Sequence, residues 1–289
     1  MKFALFSGSA PEWTPARLIE RLAAQGWDGV EWRIANQPPA DVPAFFAGNL
    51  AVYPETGIEG RIGEINRITR AAGLGQAGIS GNAAMADHEA VVRTLSATAA
   101  LGARQIRVTV PKTQAGISYE VQFAETRKHA IHAAEQALRL GVKALIQIHH
   151  GNIVSSASAA RRMVEGLDPD GIGVIHDLGN MTIEGREGLG TYTPGMEILG
   201  PYMALVHIKN VVWTPSPPKP DGTVDWAWKW APLATGLGDV ASYFRSLREV
   251  NYDGWVVVEN FTLDLPLEER LAGDLAYLKA AARAAGYSV

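Results

Sequence analysis

The fold turns on the stretch VHIKN at residues 206–210, which sits inside the apolar run MALVHIKNV (203–211). Val206 and Ile208 are strand formers, and on a strand His207 and Lys209, two apart, share one face. If that face is the interior of a sheet, two ionisable side chains need polar company there, because an isolated buried charge is costly. Matching polar groups stand at the ends of three other apolar runs: KALIQIH (143–149), IGVIHDL (172–178) and GWVVVENF (254–261).

Outward from these four, the same alternation fills the chain. KFALFS (2–7), GVEWRI (29–34), GQAGIS (75–80) and RQIRVTV (104–110) read as the first four strands. Helical patterns follow each strand. Thr14, Pro15 and Gly26 read as cap, first position and stop of the first helix, and Ile62, Ile65 and Ile68 mark an apolar stripe on the second (59–73). Further helices are expected over 88–101, 119–140, 156–165, 240–250 and 266–286, with a loop and a short helix near 195–199 between the sixth and seventh strands. Eight β-then-α units without a composition break indicate one α/β domain over residues 1–289, a single (β/α)8 TIM barrel. An open doubly wound sheet fits eight regular repeats less well.

Composition narrows the chemistry. The 289 residues are 47% hydrophobic and 19% charged, as in a soluble globular protein, and the formal net charge is −4. Without a long basic run, no nucleic-acid partner is expected. No apolar run approaches 18 residues and the N-terminal run is short for a signal peptide, so no membrane association and a cytoplasmic location are expected. With no cysteine, a metal would have to be held by His, carboxylate or amide oxygen.

In such a barrel the active site lies at the carboxyl ends of the strands. Period two puts Gln147 and His149 on one face of the fifth strand, Asp177 at the end of the sixth, His207 and Lys209 on the seventh and Glu259 on the eighth. Leu145, Ile175, Leu205 and Val257 precede them on the same faces and are expected to fill the layer below. Gln147, Asp177, His207 and Glu259 form an O/O/N/O set suited to one divalent cation, Mn²⁺, Mg²⁺, Co²⁺ or Zn²⁺. Lys209 is placed as a substrate-facing cation beside them.

VHIKN, VIHDLGN and DGWVVVEN, together with GWDGVEWR and ALGARQIRV, resemble the sugar phosphate isomerase/epimerase group of xylose isomerase-like barrels. The resemblance runs over essentially the whole chain and is specific for the superfamily, not for a substrate. It implies a divalent cation bound by a Glu, an Asp, a His and a Glu at strands five to eight. Asp177, His207 and Glu259 carry over directly. Gln147 stands where a Glu is usual, and Asn180 where many members have a His three residues after the Asp. Gln147 can offer an oxygen to a metal but cannot carry a proton. A symmetric two-carboxylate epimerisation is therefore disfavoured, and His149 is the replacement proton carrier.

The remaining residues are read from their positions. Glu31 and Arg33 share a face of the second strand and either bind substrate hydroxyls or form a structural ion pair. Arg107 either binds an anionic group of the substrate or pairs with a carboxylate. His150 and His176, of opposite parity to their neighbours, read as structural, and His88, His129 and His132 as solvated helix residues. The loop at 213–238, with Trp226, Trp228 and Trp230 alternating, reads as a lid, a subunit interface or a plain cover.

The expected function is a sugar isomerase or epimerase of carbohydrate metabolism, acting on a keto-sugar or cyclitol by proton abstraction beside a metal-chelated carbonyl. Glu259, His149 and Lys209 would be catalytic, with Glu31, Arg33, Arg107, Asn180 and Trp228 binding substrate. A dehydratase or other lyase shares the same enediolate and is the alternative. A non-catalytic barrel subunit is a further one, and phosphodiester cleavage as in endonuclease IV lacks its basic face here. A homo-oligomer is expected.

Overall fold

The computed structural model describes residues 1–185 and 192–289. The chain runs β1 (Lys2–Phe6), α1 (Pro15–Gln25), β2 (Gly29–Ile34), α2 (Ile62–Ala71), β3 (Gly75–Ala84), α3 (His88–Leu101), β4 (Gln105–Thr109) and α4 (Tyr119–Leu140). It continues with β5 (Lys143–Gln147), α5 (Ala157–Val164), β6 (Ile172–Asp177), α6 (Leu178–Glu184), α7 (Thr193–Leu199) and β7 (Met203–Ile208). It ends with β8 (Asn210–Pro215), β9 (Trp226–Ala231), α8 (Val240–Glu249), β10 (Trp255–Val258) and α9 (Leu267–Ala284).

Eight strands close into a parallel barrel in the order β1-β10-β7-β6-β5-β4-β3-β2, as the sequence predicts. Lys2 pairs with Trp255 and Leu5 with Val258 to seal the ring. Helix ends follow local chemistry. The Thr14 hydroxyl accepts from the Arg17 backbone N–H and Gly26 closes α1 with φ 82°. The carboxylates of Asp87, Asp177 and Asp239 cap α3, α6 and α8 in the same way.

The interior has two layers. Val, Ile and Leu on the outward strand faces pack on the helices. Inside the barrel Ala4, Phe6, Ala77, Leu145, Ile175, Leu205, Val257 and Phe261 form a separate plug. That plug contains the four apolar residues expected beneath the site and supplies the dry floor on which the polar residues rest. Among the described residues, no helix is long and apolar enough to cross a membrane.

Two segments differ from the sequence reading. The stretch after β6 begins as a helix, α6, because Asp177 caps it; the rest of the loop expected there lies partly outside the described residues. The stretch at 213–238 is not an irregular loop. β8 and β9 form an antiparallel hairpin in which Trp228 pairs with Trp213 and Trp230 with Val211. The alternation of Trp226, Trp228 and Trp230 with Ala227 and Lys229 is a strand pattern, masked in sequence by the surrounding prolines.

Asn210 ties this hairpin to the barrel. Its side chain donates to Leu233 O and Gly238 O at 2.9 Å each and accepts from Gly238 N at 2.8 Å. Gly236 has no room for a Cβ, which would fall within 2.1–2.6 Å of the Asn210 amide. Asn210→Ala leaves these buried groups unpaired and is expected to destabilise the protein by roughly 2–4 kcal/mol in urea unfolding. A loss below ~1 kcal/mol would show that the hairpin does not depend on this anchor.

Candidate functional site

Lys209 occupies the single position between β7 and β8, and its side chain runs inward over Gly179 at the head of α6. A Cβ on residue 179 would lie 2.2 Å from Lys209 Cγ, so the glycine is what lets the stem pass. The ammonium donates to Asp177 Oδ2 at 2.7 Å and to Glu259 Oε2. Burial opposes its charge, but the two carboxylates outweigh burial and hold its pKa above the ordinary lysine value. In return Lys209 and His207 outweigh the burial of Glu259 and hold its carboxyl well below the usual range.

Asp177 is saturated. Its Oδ2 accepts from Lys209, from Gln147 Nε2 at 2.6 Å and from Asn180 Nδ2 at 2.8 Å, and its Oδ1 accepts from Asn180 N at 2.9 Å. Gln147 turns its amide NH₂ to this cluster because Arg107 Nη1 donates to its carbonyl at 2.8 Å. Turning Gln147 over to offer oxygen to a cation would set its NH₂ against the Arg107 guanidinium and its carbonyl against Asp177. The orientation is therefore fixed by charge on both sides.

His207 is fully buried between Glu31 and Glu259, with Nε2 at 3.2 Å from Glu31 Oε1 and Nδ1 at 3.3 Å from Glu259 Oε1. Burial opposes protonation, but these two carboxylates raise its pKa to about 10. The imidazolium donates to both; the neutral ring would accept from Gln147 Nε2, 3.2 Å from Nδ1. Glu31, His207 and Glu259 each place one ligand atom within 4.8 Å of the others. Glu31 Oε2 is buried without a hydrogen-bond partner, an orphaned acceptor of the kind a cation would satisfy. These three residues fit a divalent ion; of the other two expected ligands, Asp177 has its Oδ2 on Lys209, as Glu259 has its Oε2, and Gln147 presents its NH₂ rather than its oxygen to the cluster. The expectation of a structural ion pair between Glu31 and Arg33 does not hold. Glu31 turns to His207, 176 residues away, and Arg33 Nη1 donates to Phe45 O at 2.7 Å.

Above the cluster opens a cavity of about 560 Å³. Lys209 and Glu259 reach its floor; Arg33, Arg107, His149, Asn180 and Trp228 line its walls. Arg33 is buried beside Arg107, and its pKa is lowered to about 10 by that burial and the like charge, offset in part by Glu259. His149 Nδ1 lies 2.9 Å from His150 O, which fixes the proton on that nitrogen and leaves Nε2 as an acceptor. Burial, with Lys209 nearby, lowers its pKa to about 4, so the ring is neutral at pH 7.

Several placements escaped the sequence. β5 ends at Gln147, so period two stops there, and His150 joins the cavity wall with Nδ1 2.9 Å from Asn180 Oδ1 and its ring stacked on His149. His176 keeps its structural role, buried with Nδ1 2.6 Å from the Tyr243 hydroxyl. His88 is exposed, as expected, and His129 and His132 are half-buried beside it; the His88 and His132 rings stack at 3.9 Å, and His88 Nε2 lies 2.9 Å from His129 Nδ1. Trp230, Phe46 and Phe261 add an aromatic wall, with Trp230 and Phe261 centroids 4.9 Å apart.

Comparison with known proteins agrees with this architecture. The family of xylose isomerase-like TIM barrels matches residues 19–281. Similar solved structures include 3-keto-D-glucoside 4-epimerase from E. coli, at 16% identity and a TM-score of 0.71, covering 97% of this chain and 99% of that one. D-psicose 3-epimerase from Clostridium cellulolyticum, solved with D-tagatose, gives 13% identity, a TM-score of 0.71 and coverage of 98% and 99%. The IOLI protein with a zinc atom gives 15%, 0.74 and 100% of both chains. At these identities the likeness shows the fold. Among curated proteins, none matches the chain.

The ammonium of Lys209 and a divalent ion would compete for Glu259. In calorimetric titration with Mn²⁺, Lys209→Met is expected to bind about tenfold or more tightly than the wild type, and Glu31→Gln about tenfold or more weakly. Unchanged affinity in Glu31→Gln would remove Glu31 from the ligand set.

Proposed function

The chain belongs to the xylose isomerase-like TIM barrel family, and on that premise we propose that it is a sugar isomerase or epimerase. Its substrate is a keto-sugar or keto-cyclitol, and its chemistry is proton transfer at the carbon beside the carbonyl. One observation carries this reading. Lys209 and Glu259 stand in contact on the floor of an open cavity walled by tryptophan and by hydrogen-bonding side chains.

For a carbonyl resting on that floor, Lys209 Nζ is the donor for the oxygen and the Glu259 carboxylate the acceptor for the adjacent C–H proton. Removing the proton moves its electron pair into an enediolate, whose charge falls on the oxygen beside Lys209. Because Lys209 is already held by Asp177, it needs little reorganisation when that charge develops. A divalent ion (Mn²⁺, Mg²⁺, Co²⁺ or Zn²⁺), held by Glu31, His207 and Glu259, would supply further positive charge to the carbonyl and its neighbouring hydroxyl.

Return of the proton decides the product. Gln147 has no proton to exchange, so two opposed carboxylates are not available at this site. Protonated Glu259 can return its proton to the former carbonyl carbon, while His149, neutral with Nε2 as its acceptor nitrogen, takes the hydroxyl proton of the carbon that becomes the new carbonyl; this isomerises the sugar. Epimerisation, with delivery to the opposite face of the same carbon, needs His149 to have taken up a proton first. Dehydration would need an acid for the departing hydroxyl, and a neutral His149 is a poor one, which puts the lyase alternative second. Trp228 and Trp230 offer ring faces to the apolar side of a sugar.

Incubation in D₂O with a panel of ketoses and keto-cyclitols is expected to show deuterium entering the carbon next to the carbonyl, read by NMR. Glu259→Gln should slow that exchange by about 100-fold or more. Absence of exchange across the panel would contradict the proposed chemistry, and full exchange in Glu259→Gln would remove Glu259 as the base.

A further inference from the structure

The cavity wall carries more positive charge than the floor answers, since Glu31, Asp177 and Glu259 already face the charges of His207 and Lys209. Arg33, Arg107 and Lys112 all line the cavity, and Glu259 is the carboxylate among its described lining residues. Both Glu259 oxygens are engaged, Oε2 by Lys209 and Oε1 by His207. Among the described residues, neither Arg33 nor Arg107 has a carboxylate within ion-pair distance.

Their hydrogen bonds go instead to neutral oxygens. Arg33 Nη1 donates to Phe45 O, and its guanidinium lies 5.1 Å from the centre of the Phe46 ring. Arg107 donates to Gly81 O from Nε and Nη2, to Asn82 Oδ1 at 2.7 Å and to Gln147 Oε1. Arg33 is only 7% exposed. A guanidinium out of water and without a counter-ion is costly, and its planar fork matches carboxylate and phosphate oxygens. Two such groups facing one cavity, repelling each other, describe a site waiting for an anion.

Position gives that anion its place on the substrate. β4, which carries Arg107, stands opposite β10 in the closed strand order, and β10 leads into Glu259. The intervening β3 contributes Asn82, and the exposed Lys112 lies at the rim. Phe46, Trp228 and Trp230 line the same cavity with aromatic rings.

We propose that the substrate carries an oxyanion group, carboxylate or phosphate, away from its reacting carbonyl, and that Arg107 holds it, with Arg33 beside it and Lys112 at the rim. This deepens the enzymatic reading above and rests on it for the position of the carbonyl. It also gives Arg107 two tasks, since the guanidinium that meets the anion also orients Gln147 toward Asp177.

The test is calorimetric binding of D-fructose, D-fructose 6-phosphate and 2-keto-D-gluconate at constant ionic strength to the wild type, Arg107→Met and Lys112→Met. At least one anionic sugar should bind the wild type about 10- to 100-fold more tightly than D-fructose, the scale of one hydrogen bond to a charged group. The preferred anion separates carboxylate from phosphate. That preference should vanish in Arg107→Met and shrink in Lys112→Met, whose exposed side chain can be removed without disturbing the barrel. Equal binding of all three sugars, no binding of either anion, or an anion preference unchanged in both variants would overturn the proposal. Binding is read without turnover. Anion binding in a protein that exchanges no C–H proton would keep the subsite and overturn the enzymatic reading; exchange on neutral ketoses without anion binding would do the reverse.

Discussion

The site depends on the ammonium of Lys209 held between Asp177 and Glu259. Buried carboxylates at this spacing repel, and each would pick up a proton or draw in a cation if left alone. Lys209 supplies the cation from within the chain. Removing one member of such a buried set typically costs about 3–5 kcal/mol, because the charges that remain have no water to turn to. The surrounding hydrogen bonds follow from the same requirement. Arg107 fixes the Gln147 carbonyl, Gln147 and Asn180 fill the free lone pairs of Asp177, and His207 joins Glu259 to Glu31. Six barrel strands or strand ends are thereby linked through one polar layer resting on an apolar plug.

This layer also reconciles the barrel's family with its departures from the family pattern. With Gln147 in place of a carboxylate and Lys209 on Asp177, the part of the floor formed by β5 and β6 is already neutralised. The orphaned oxygen of Glu31 shifts the fit for a divalent ion toward β2, β7 and the end of β10. The ammonium of Lys209 and the carboxylate of Glu259 remain side by side. In the proposed chemistry, a carbonyl placed above them would meet a donor for its oxygen and an acceptor for its neighbouring proton in the same contact pair.

Most of the barrel was legible in the sequence because its strands are short apolar runs and its helices carry their own caps. Period two also brought Gln147, Asp177, His207 and Glu259 to one end of the barrel, with Leu145, Ile175, Leu205 and Val257 beneath. What escaped was contact between distant strands. Glu31 and Arg33 look like a pair on one strand face, yet Glu31 meets His207 across the barrel, and no local pattern encodes that. The face of Gln147 turned to the cluster depends on Arg107, 40 residues earlier. His150 was assigned by a strand rule that ends at Gln147. The alternation of Trp226, Trp228 and Trp230 already indicates an extended segment, but the prolines around it conceal that this segment pairs as the β8–β9 hairpin.

A high-resolution crystal structure of the metal-free protein tests the central interaction most directly. It should show Lys209 Nζ within hydrogen-bond distance of both Asp177 and Glu259, with the Gln147 amide NH₂ toward Asp177. Lys209 turned out into the cavity, leaving Asp177 and Glu259 to water, would contradict it.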